Sequence, residues 1–222
     1  MSIFTLKIIA CVTMVLDHIK YVMPGTRNFI TIYFGRMAFP FFAFLLSEGY
    51  SHTKDLRRYY KRLVIFALIS QIPFMLFRTL VGEWRMLNIL FTLGLGLMAI
   101  TVWDKLNKKY YISIPIIIYI IFLGKFLNVD YGWYGVTCVL LFYWFRNHKF
   151  LRIFAFASLN LIYYGNRLFV NSSLPNLISY GFTTLPVIFL LFYNGKLGHK
   201  TKYLYYIFYP VHMLILYAIS FI

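Results

Sequence analysis

The ionisable side chains inside the first two apolar stretches include Asp17, His18 and Arg36, beside Lys7 and Lys20. An ionisable group within an apolar span costs ~2.5–3.5 kcal/mol, so such groups usually face a protein interior or a wet cavity. An imidazole titrates close to physiological pH, which makes His18 a candidate general base. Arg36 is a candidate for stabilising negative charge on a reacting oxygen. The three residues together predict a catalytic group, Asp17, His18 and Arg36, inside a helical bundle.

Asp17 is not placed to orient the ring of His18. Adjacent residues on a helix point ~100° apart, unlike the carboxylate and imidazole of a catalytic triad. We expect Asp17 to pair with Arg36 or, three residues further along the helix, with Lys20. His18 is then free to face a cavity. The alternative is a buried ion-pair network of the three residues that only fixes helix packing.

A basic cluster follows the second apolar stretch and consists of Arg57, Arg58, Lys61 and Arg62. These side chains can bind the phosphates of a cytoplasmic coenzyme through charge-assisted hydrogen bonds. Basic residues also accumulate in the cytoplasmic loops of membrane proteins for topological reasons alone. Glu48 ends the second stretch, and it either caps this basic cluster or contributes to substrate binding.

Four further polar residues within or beside apolar stretches are candidates for substrate binding: Asn88, Asp130, Tyr209 and His212. His212 lies about nine residues into the last stretch, near the middle of a span. A lone histidine at that depth is more often a hydrogen-bonding group between helices than a catalyst. His212 is therefore the second candidate base after His18.

The elements that must position these residues are apolar helices. Of the 222 residues, 61% are hydrophobic and 13% are charged, whereas a soluble domain is about half apolar and about a quarter charged. This composition excludes an ordinary soluble enzyme. Because a bilayer span takes ~20 apolar residues, we predict an all-α, polytopic membrane bundle of about nine helices, forming one domain over residues 1–222. The predicted spans are 3–23, 29–50, 63–81, 87–103, 111–127, 133–145, 150–165, 176–193 and 203–222.

The loop charges predict the orientation of this bundle. The chain carries 22 Lys and Arg against six Asp and Glu, for a net charge of +16. Most of the basic residues follow the even-numbered spans: Lys54, Arg57, Arg58, Lys61, Arg62, Lys105, Lys108, Lys109, Arg146, Lys149, Arg152, Lys196, Lys200 and Lys202. The opposite connections hold Arg27, Arg78, Arg85, Lys125 and Arg167. The positive-inside rule then places the N-terminus in the cytoplasm and the C-terminus outside. No soluble basic surface is left to hold a nucleic acid.

Other kinds of chemistry find no support in the sequence. Cys11 and Cys138 both fall within apolar stretches, which favours neither a disulfide framework nor a cysteine metal site. The sequence lacks a Walker loop, a dinucleotide fingerprint, an HExxH motif and a GxSxG motif, so ATP-driven transport and metalloprotease activity are not supported. We predict no metal ion.

Several blocks of the sequence resemble the TraX family. The two specific blocks are Leu6–Ala10 with Thr13–Ile19 (LKIIA and TMVLDHI) and Gly35–Tyr50 (GRMAFPFFAFLLSEGY) with His52 and Thr53. Shorter blocks follow in order at Leu68–Phe74, Asn88–Leu93, Asp130–Gly132 and Phe208–His212. The resemblance implies an integral-membrane acetyltransferase, located in the inner membrane of a bacterial cell. The family's name-giving member acetylates the N-terminal amine of conjugative pilin, and related membrane acyltransferases use a cytoplasmic acyl-CoA and an intramembrane histidine.

The residues and the resemblance lead to one expected reaction. An acyl group, expected to be acetyl, passes from cytoplasmic acetyl-CoA to an amine or hydroxyl acceptor, either a peptide N-terminus or a cell-surface molecule. His18 acts as the base, and Arg36 either stabilises the oxyanion or holds Asp17. A cavity that crosses much of the membrane is then required. The alternative is a small transporter, a flippase or an assembly factor without catalytic activity, in which the polar cluster carries substrate or protons.

Overall fold

The computed structural model describes residues 1–170, 174–199 and 203–222, and these form an all-α bundle. The α-helices are α1 (Ile3–Val22), α2 (Ala38–His52), α3 (Leu56–Thr79), α4 (Ile89–Lys105), α5 (Tyr110–Phe126), α6 (Gly132–Trp144), α7 (Lys149–Val170), α8 (Leu174–Thr184), α9 (Pro186–Leu191) and α10 (Leu204–Ile219). Each predicted apolar span coincides with a helical segment of this bundle. The all-α prediction is therefore confirmed for the described residues.

Two of the predicted spans are helical but not regular. The second span begins as a π-helical turn over Ile30–Phe34, continues as a 3-10 turn over Gly35–Met37 and becomes α-helical at Ala38. Pro40 explains this change, because it has no N–H to donate to the carbonyl group four residues earlier. The eighth span breaks into α8 and α9 immediately before Pro186, which occupies the first turn of α9.

Helix α10 packs against both α1 and α3, and the three helices run in the same direction. Near the N-terminal end, the Lys7 ammonium lies 4.8 Å from the ring centre of Tyr205. Further along, His18 of α1 meets both Phe77 of α3 and His212 of α10. Two helices run in the same direction only when the chain crosses the bundle an even number of times between their starts. The parallel arrangement of α1 and α10 therefore agrees with the predicted order of spans.

The chain start is tied to the connection between α9 and α10. The backbone N–H of Ile3 donates to the carbonyl of Lys196 at 2.9 Å, and that of Phe4 donates to the carbonyl of Leu197 at 3.2 Å. Tyr193, just after α9, donates to Glu48 of α2, and the hydroxyls of Tyr50 of α2 and Tyr143 of α6 both donate to Asp104 of α4. The loops after α2, α4, α6 and α9 therefore lie at one end of the bundle. Because these loops carry most of the basic residues, we call this the basic end. Two of the lysines counted in the sequence, Lys200 and Lys202, lie outside the described residues.

The outer surface of the bundle is apolar, and polar side chains are buried inside it. Large exposed apolar residues include Leu68 and Ile72 of α3, Ile118 and Phe122 of α5, Phe150, Phe154 and Ile162 of α7, and Ile207 and Ile215 of α10. Buried polar residues include Ser70, Asn88, Thr92 and Asn160, each fully shielded. In a water-soluble fold the distribution is the reverse, so this pattern favours an apolar solvent around the bundle.

Helix length and composition alone identify two described segments that can cross a membrane, Ile30–His52 and Leu56–Thr79. Other helices are shorter or contain charged residues. For example, α5 has 17 residues, or roughly 25 Å at ~1.5 Å per residue, while α1 carries Lys7, Asp17 and Lys20.

Candidate active site

One cavity of about 510 Å³ lies away from the basic end and brings together five of the predicted site residues. Asp17 and His18 come from α1, Arg36 from the irregular turn before α2, and Tyr209 from α10. Asp130 comes from the connection between α5 and α6. The sequence argument placed Asp17, His18 and Arg36 at a comparable depth, and the structure puts all three on the wall of this cavity.

The irregular turn before α2 places Arg36 beside α1. The α-carbon of Gly35 packs so closely on α1 that an added β-carbon would stand 2.5 Å from the Asp17 α-carbon and 2.7 Å from its backbone nitrogen. Only glycine permits this approach of the two backbones. Because Arg36 follows directly, its guanidinium reaches the cavity next to Asp17 and His18. The π-helical turn Ile30–Phe34 directly precedes Gly35, and such turns are frequent at functional sites.

Asp17 forms an ion pair with Lys20, with an Oδ1 to Nζ distance of 2.5 Å. This is one of the two pairings expected for Asp17. Lys20 is 9% exposed, and its ammonium also lies 5.0 Å from the ring centre of Tyr21. Among the described residues, the Nε of Arg36 is buried without a hydrogen-bond partner. The direct ion pair of Asp17 is therefore with Lys20, while the nearby charge of Arg36 also acts on this carboxylate.

His18 is held between the cavity and α10. Its Nδ1 lies 3.0 Å from Nε2 of His212, and its ring meets the edge of Phe77 with 5.0 Å between ring centres. The Nδ1 of His212 lies 2.9 Å from the backbone carbonyl oxygen of Phe208 in the preceding turn. His212 is 5% exposed and contacts His18 from behind, whereas His18 itself lines the cavity.

Asp130 reaches the cavity from a short backbone bridge that links two loops. Its N–H donates to the Leu87 carbonyl at 2.8 Å, and its carbonyl accepts a hydrogen bond from the Thr92 hydroxyl. Tyr131, the next residue, adopts a left-handed conformation with φ 64°. With its backbone fixed in this way, the carboxylate of Asp130 lies on the cavity wall.

Sequence reasoning missed the aromatic wall of the cavity and one of its ion pairs. The additional lining residues include Tyr21, Tyr131, Tyr163, Tyr164, Arg78 and Glu83. Arg78 donates to Glu83, and a second contact of its Nη2 is with the Met86 sulfur at 3.0 Å. The sequence analysis counts Arg78 among the charges of a connection, whereas the structure places it in the last turn of α3. The chain has 20 tyrosines, so no simple signal separates those that line the cavity from the rest.

The structure does not bring Asn88 or Glu48 to this cavity. Asn88 caps α4 and is fully buried, and its Nδ2 donates to the Ala67 carbonyl at 2.7 Å and to Oε1 of Gln71 at 2.9 Å. Glu48 accepts a hydrogen bond from the Tyr193 hydroxyl at 2.8 Å and lies 3.6 Å from Nε2 of His52. Glu48 therefore pairs with these two residues instead of capping the basic cluster.

The basic cluster lies far from the cavity along α3. Arg57, Arg58 and Lys61 are exposed, and Arg62 is half-buried. Phe77, which contacts His18, follows Arg62 by fifteen residues on the same helix, or roughly 22 Å at ~1.5 Å per residue. A second cavity, of about 410 Å³, lies at the basic end and is lined by Tyr50, Ser51, Thr53, Leu56, Asp104, Tyr143 and Arg146.

The cavity beside His18 ends well before the basic end. Its deepest lining residues are Met14 on α1, Phe42 on α2 and Phe74 on α3. Towards the basic end the same helices pack through buried side chains such as Leu6 and Leu63. The expected cavity across much of the membrane is therefore not open in this structure, because close apolar packing fills the space below Met14.

Comparison with known proteins gives the family of this chain. The family profile described as TraX protein matches residues 2–220. A relative from Dichelobacter nodosus, named probable fimbrial assembly protein FimC, serogroup H1, is 30% identical, over 97% of this chain and 94% of the relative. No solved structure matches the chain. Because the profile covers nearly the whole chain and the relative aligns almost end to end, the chain belongs to the TraX family.

Proposed function

We propose that this protein is a multi-pass acyltransferase of the bacterial inner membrane, with the basic end in the cytoplasm. The apolar outer surface and the basic loops at one end support this placement. A bilayer also explains why polar groups such as Asn88 and Asn160 are buried and hydrogen-bonded inside the bundle. The proposed C-terminus is external.

The orientation has its own test. A reporter fused after Lys109 is expected to be cytoplasmic, and one fused after Ile222 is expected to be external. A cytoplasmic C-terminus in that experiment would contradict the proposed arrangement of nine spans.

His18 is the proposed general base of the transfer. The acceptor's nitrogen or oxygen attacks the thioester carbonyl carbon, and its proton moves to Nε2 of His18 as the new bond forms. The carbon–sulfur bond then breaks, and the proton passes from His18 to the departing CoA sulfur. Arg36 donates hydrogen bonds to the oxyanion of the tetrahedral intermediate, since Asp17 already has Lys20 as its partner.

The proposed acyl donor is acetyl-CoA, whose phosphates bind the basic cluster of Arg57, Arg58, Lys61 and Arg62 at the cytoplasmic surface. The thioester must reach His18 through the closely packed region between α1, α2 and α3. Donor binding is therefore proposed to separate these helices and extend the cavity toward the basic end.

The proposed acceptor is an amine or hydroxyl that enters from the outer side of the membrane. The TraX family is associated with pilin acetylation, and the Dichelobacter nodosus relative is named a probable fimbrial assembly protein. A peptide N-terminus of a pilin-like subunit is therefore the first acceptor to test, followed by other cell-surface molecules. Asp130 and the tyrosine-rich wall, including Tyr209, are proposed to bind it.

The observation that carries the proposal is the placement of His18 and Arg36 on one cavity wall, with His18 supported from behind by His212. The test measures transfer of labelled acetyl from acetyl-CoA to a pilin-derived peptide by the purified protein in lipid nanodiscs. His18→Gln is expected to lower kcat by ~10²–10⁴-fold, the usual contribution of a general base. His148→Gln, which alters an exposed histidine outside the cavity, is expected to leave kcat unchanged.

A non-catalytic assembly factor is the second candidate function, favoured by the name of the relative. In that case the folded wild-type protein transfers no acetyl to any acceptor and binds no CoA. A His18→Gln variant that inserts normally, and that transfers acetyl as fast as the wild type, would also contradict the catalytic assignment of His18.

A further inference from the structure

We infer that His212 is the positioning residue of the proposed base: it fixes the proton of His18 on Nδ1 and so leaves the lone pair of Nε2 for the acceptor. This inference rests on the proposed function for its kinetic consequence, although its structural part stands by itself. The carboxylate next to His18 in sequence, Asp17, has no part in it.

The direction of the hydrogen bonds follows from the carbonyl of Phe208. A backbone carbonyl can only accept a hydrogen bond, so the Nδ1 of His212, at 2.9 Å, must carry a proton and donate it. In a neutral imidazole the other nitrogen then has a lone pair and can only accept. The Nε2 of His212 therefore accepts a hydrogen bond from the Nδ1–H of His18 across 3.0 Å.

The same argument continues through the second ring. With its proton on Nδ1, neutral His18 has its lone pair on Nε2. His18 lines the cavity and His212 contacts it from behind. The pair of rings thus selects the one tautomer in which a base faces the substrate, which is the task of the aspartate in a catalytic triad.

Burial and packing keep this arrangement in place. His212 is 5% exposed, and its ring stacks on Phe208 at 4.9 Å with an interplanar angle of 10°. His18 meets the edge of Phe77 at 5.0 Å. The two imidazoles cannot rotate without breaking these contacts, so the hydrogen-bonded chain from carbonyl to ring to ring is pre-organised for catalysis.

The arrangement also supports the charged state of the base. When the Nε2 of His18 takes the acceptor's proton, the positive charge is shared through the Nδ1–H bond to His212. The proton then leaves from Nε2 to the sulfur of the departing thiolate, and both rings return to their starting tautomers. For a hydroxyl or a neutral amine acceptor no proton is left over; an amine that binds as an ammonium must first release one proton to bulk water through the cavity.

The test compares two substitutions of His212. His212→Phe keeps an aromatic ring that can stack on Phe208 but removes the acceptor nitrogen. It is expected to lower kcat by about 10²-fold or more, with the KM of both substrates within about twofold of the wild type. His212→Gln retains an acceptor for the His18 proton and is expected to recover kcat to within about tenfold. His148→Phe, the same change at an exposed histidine, serves as the control.

A spectroscopic measurement tests the tautomer independently of activity. In the ¹⁵N-histidine-labelled protein, His18 is expected to show a protonated Nδ1, an unprotonated Nε2 and a through-hydrogen-bond coupling to Nε2 of His212. His212→Phe is expected to abolish the coupling and to populate the other tautomer.

A His18 protonated at Nε2 in the wild type, or a folded His212→Phe variant with wild-type kcat, would overturn the inference. If the wild type transfers no acetyl but shows the expected tautomer and coupling, the proposed function fails while the hydrogen-bonded pair stands.

Discussion

The close packing of Gly35 on Asp17 makes Gly35→Ala a sharp test of how α1 and the turn before α2 position the site. The added β-carbon would stand 2.5 Å from the Asp17 α-carbon and 2.8 Å from its β-carbon. A relaxed contact between carbon atoms is ~3.5–4.0 Å, so the two backbones must separate by about 1 Å or more. Neither atom belongs to a flexible side-chain end that can rotate away.

Two effects of this displacement are expected in Gly35→Ala. Overpacking of a well-packed interior costs ~1–3 kcal/mol, and we expect the upper half of that range because backbone atoms collide. For a chain of this size that corresponds to a fall in Tm of roughly 4–12 °C. A shift of about 1 Å between His18 and Arg36 is also expected to lower kcat by ~10²-fold.

The assay is thermal unfolding of the purified protein together with acetyl transfer, and the control is Gly181→Ala. Gly181 lies in α8 with nothing within 4 Å of an added β-carbon, and alanine favours a helix over glycine by ~1 kcal/mol. The control is therefore expected to be neutral or slightly stabilising. A Gly35→Ala variant with the Tm and kcat of the wild type would refute the described packing of α1 against this turn.

Three further changes test the roles of charged residues in the site. Arg36→Lys keeps the charge but loses the planar fork, so kcat is expected to fall by ~10²–10³-fold with little change in Tm; a large fall in Tm would instead indicate a structural ion pair. Asp130→Asn is expected to raise the KM of an amine acceptor about 10–100-fold, the equivalent of one charge-assisted hydrogen bond, and to leave that of a hydroxyl acceptor unchanged; equal effects on both would argue against ammonium binding. Replacing both Arg57 and Arg58 by Ala is expected to reduce the rise in Tm that CoA produces, without changing the Tm of the free protein. The control is a variant that lacks two exposed lysines of the α4–α5 loop. If CoA raises the Tm of the arginine variant as much as that of this control, the basic cluster only sets the orientation in the membrane.

The helices could be predicted from the sequence because their signals are local. The length of an apolar run and the polar residues that end it fix a helix without knowledge of its neighbours. The same applies to the pair of Asp17 with Lys20, since residues three apart on a helix share a face. The common depth of His18 and Arg36 also followed from counting residues along two spans joined by a short connection.

The contact between His18 and His212 could not be predicted in this way. The two histidines are separated by 194 residues, and apolar periodicity does not say which helices become neighbours. That choice depends on side-chain fit, for example at Gly96, where an added β-carbon would stand 2.7 Å from Val139. The break between α8 and α9 could not be predicted either. The sequence shows a proline at position 186, but whether a helix breaks or only bends at a proline depends on the surrounding packing.

The position of Asp17 explains why a histidine, His212, is suited to orient His18. Asp17 is adjacent to His18 but already forms an ion pair with Lys20 at 2.5 Å, and this pair carries no net charge. A further carboxylate behind His18 would bring an additional buried anion, at a cost of several kcal/mol in a poorly solvated bundle. A neutral imidazole accepts the same hydrogen bond without that cost. The tautomer of His212 is in turn fixed by the Phe208 carbonyl, which carries no charge. A base whose proton is placed by a neutral ring is therefore the arrangement that an apolar environment favours, and exchanging His212 for an acidic residue is expected to lower the yield of folded protein more than His212→Gln does.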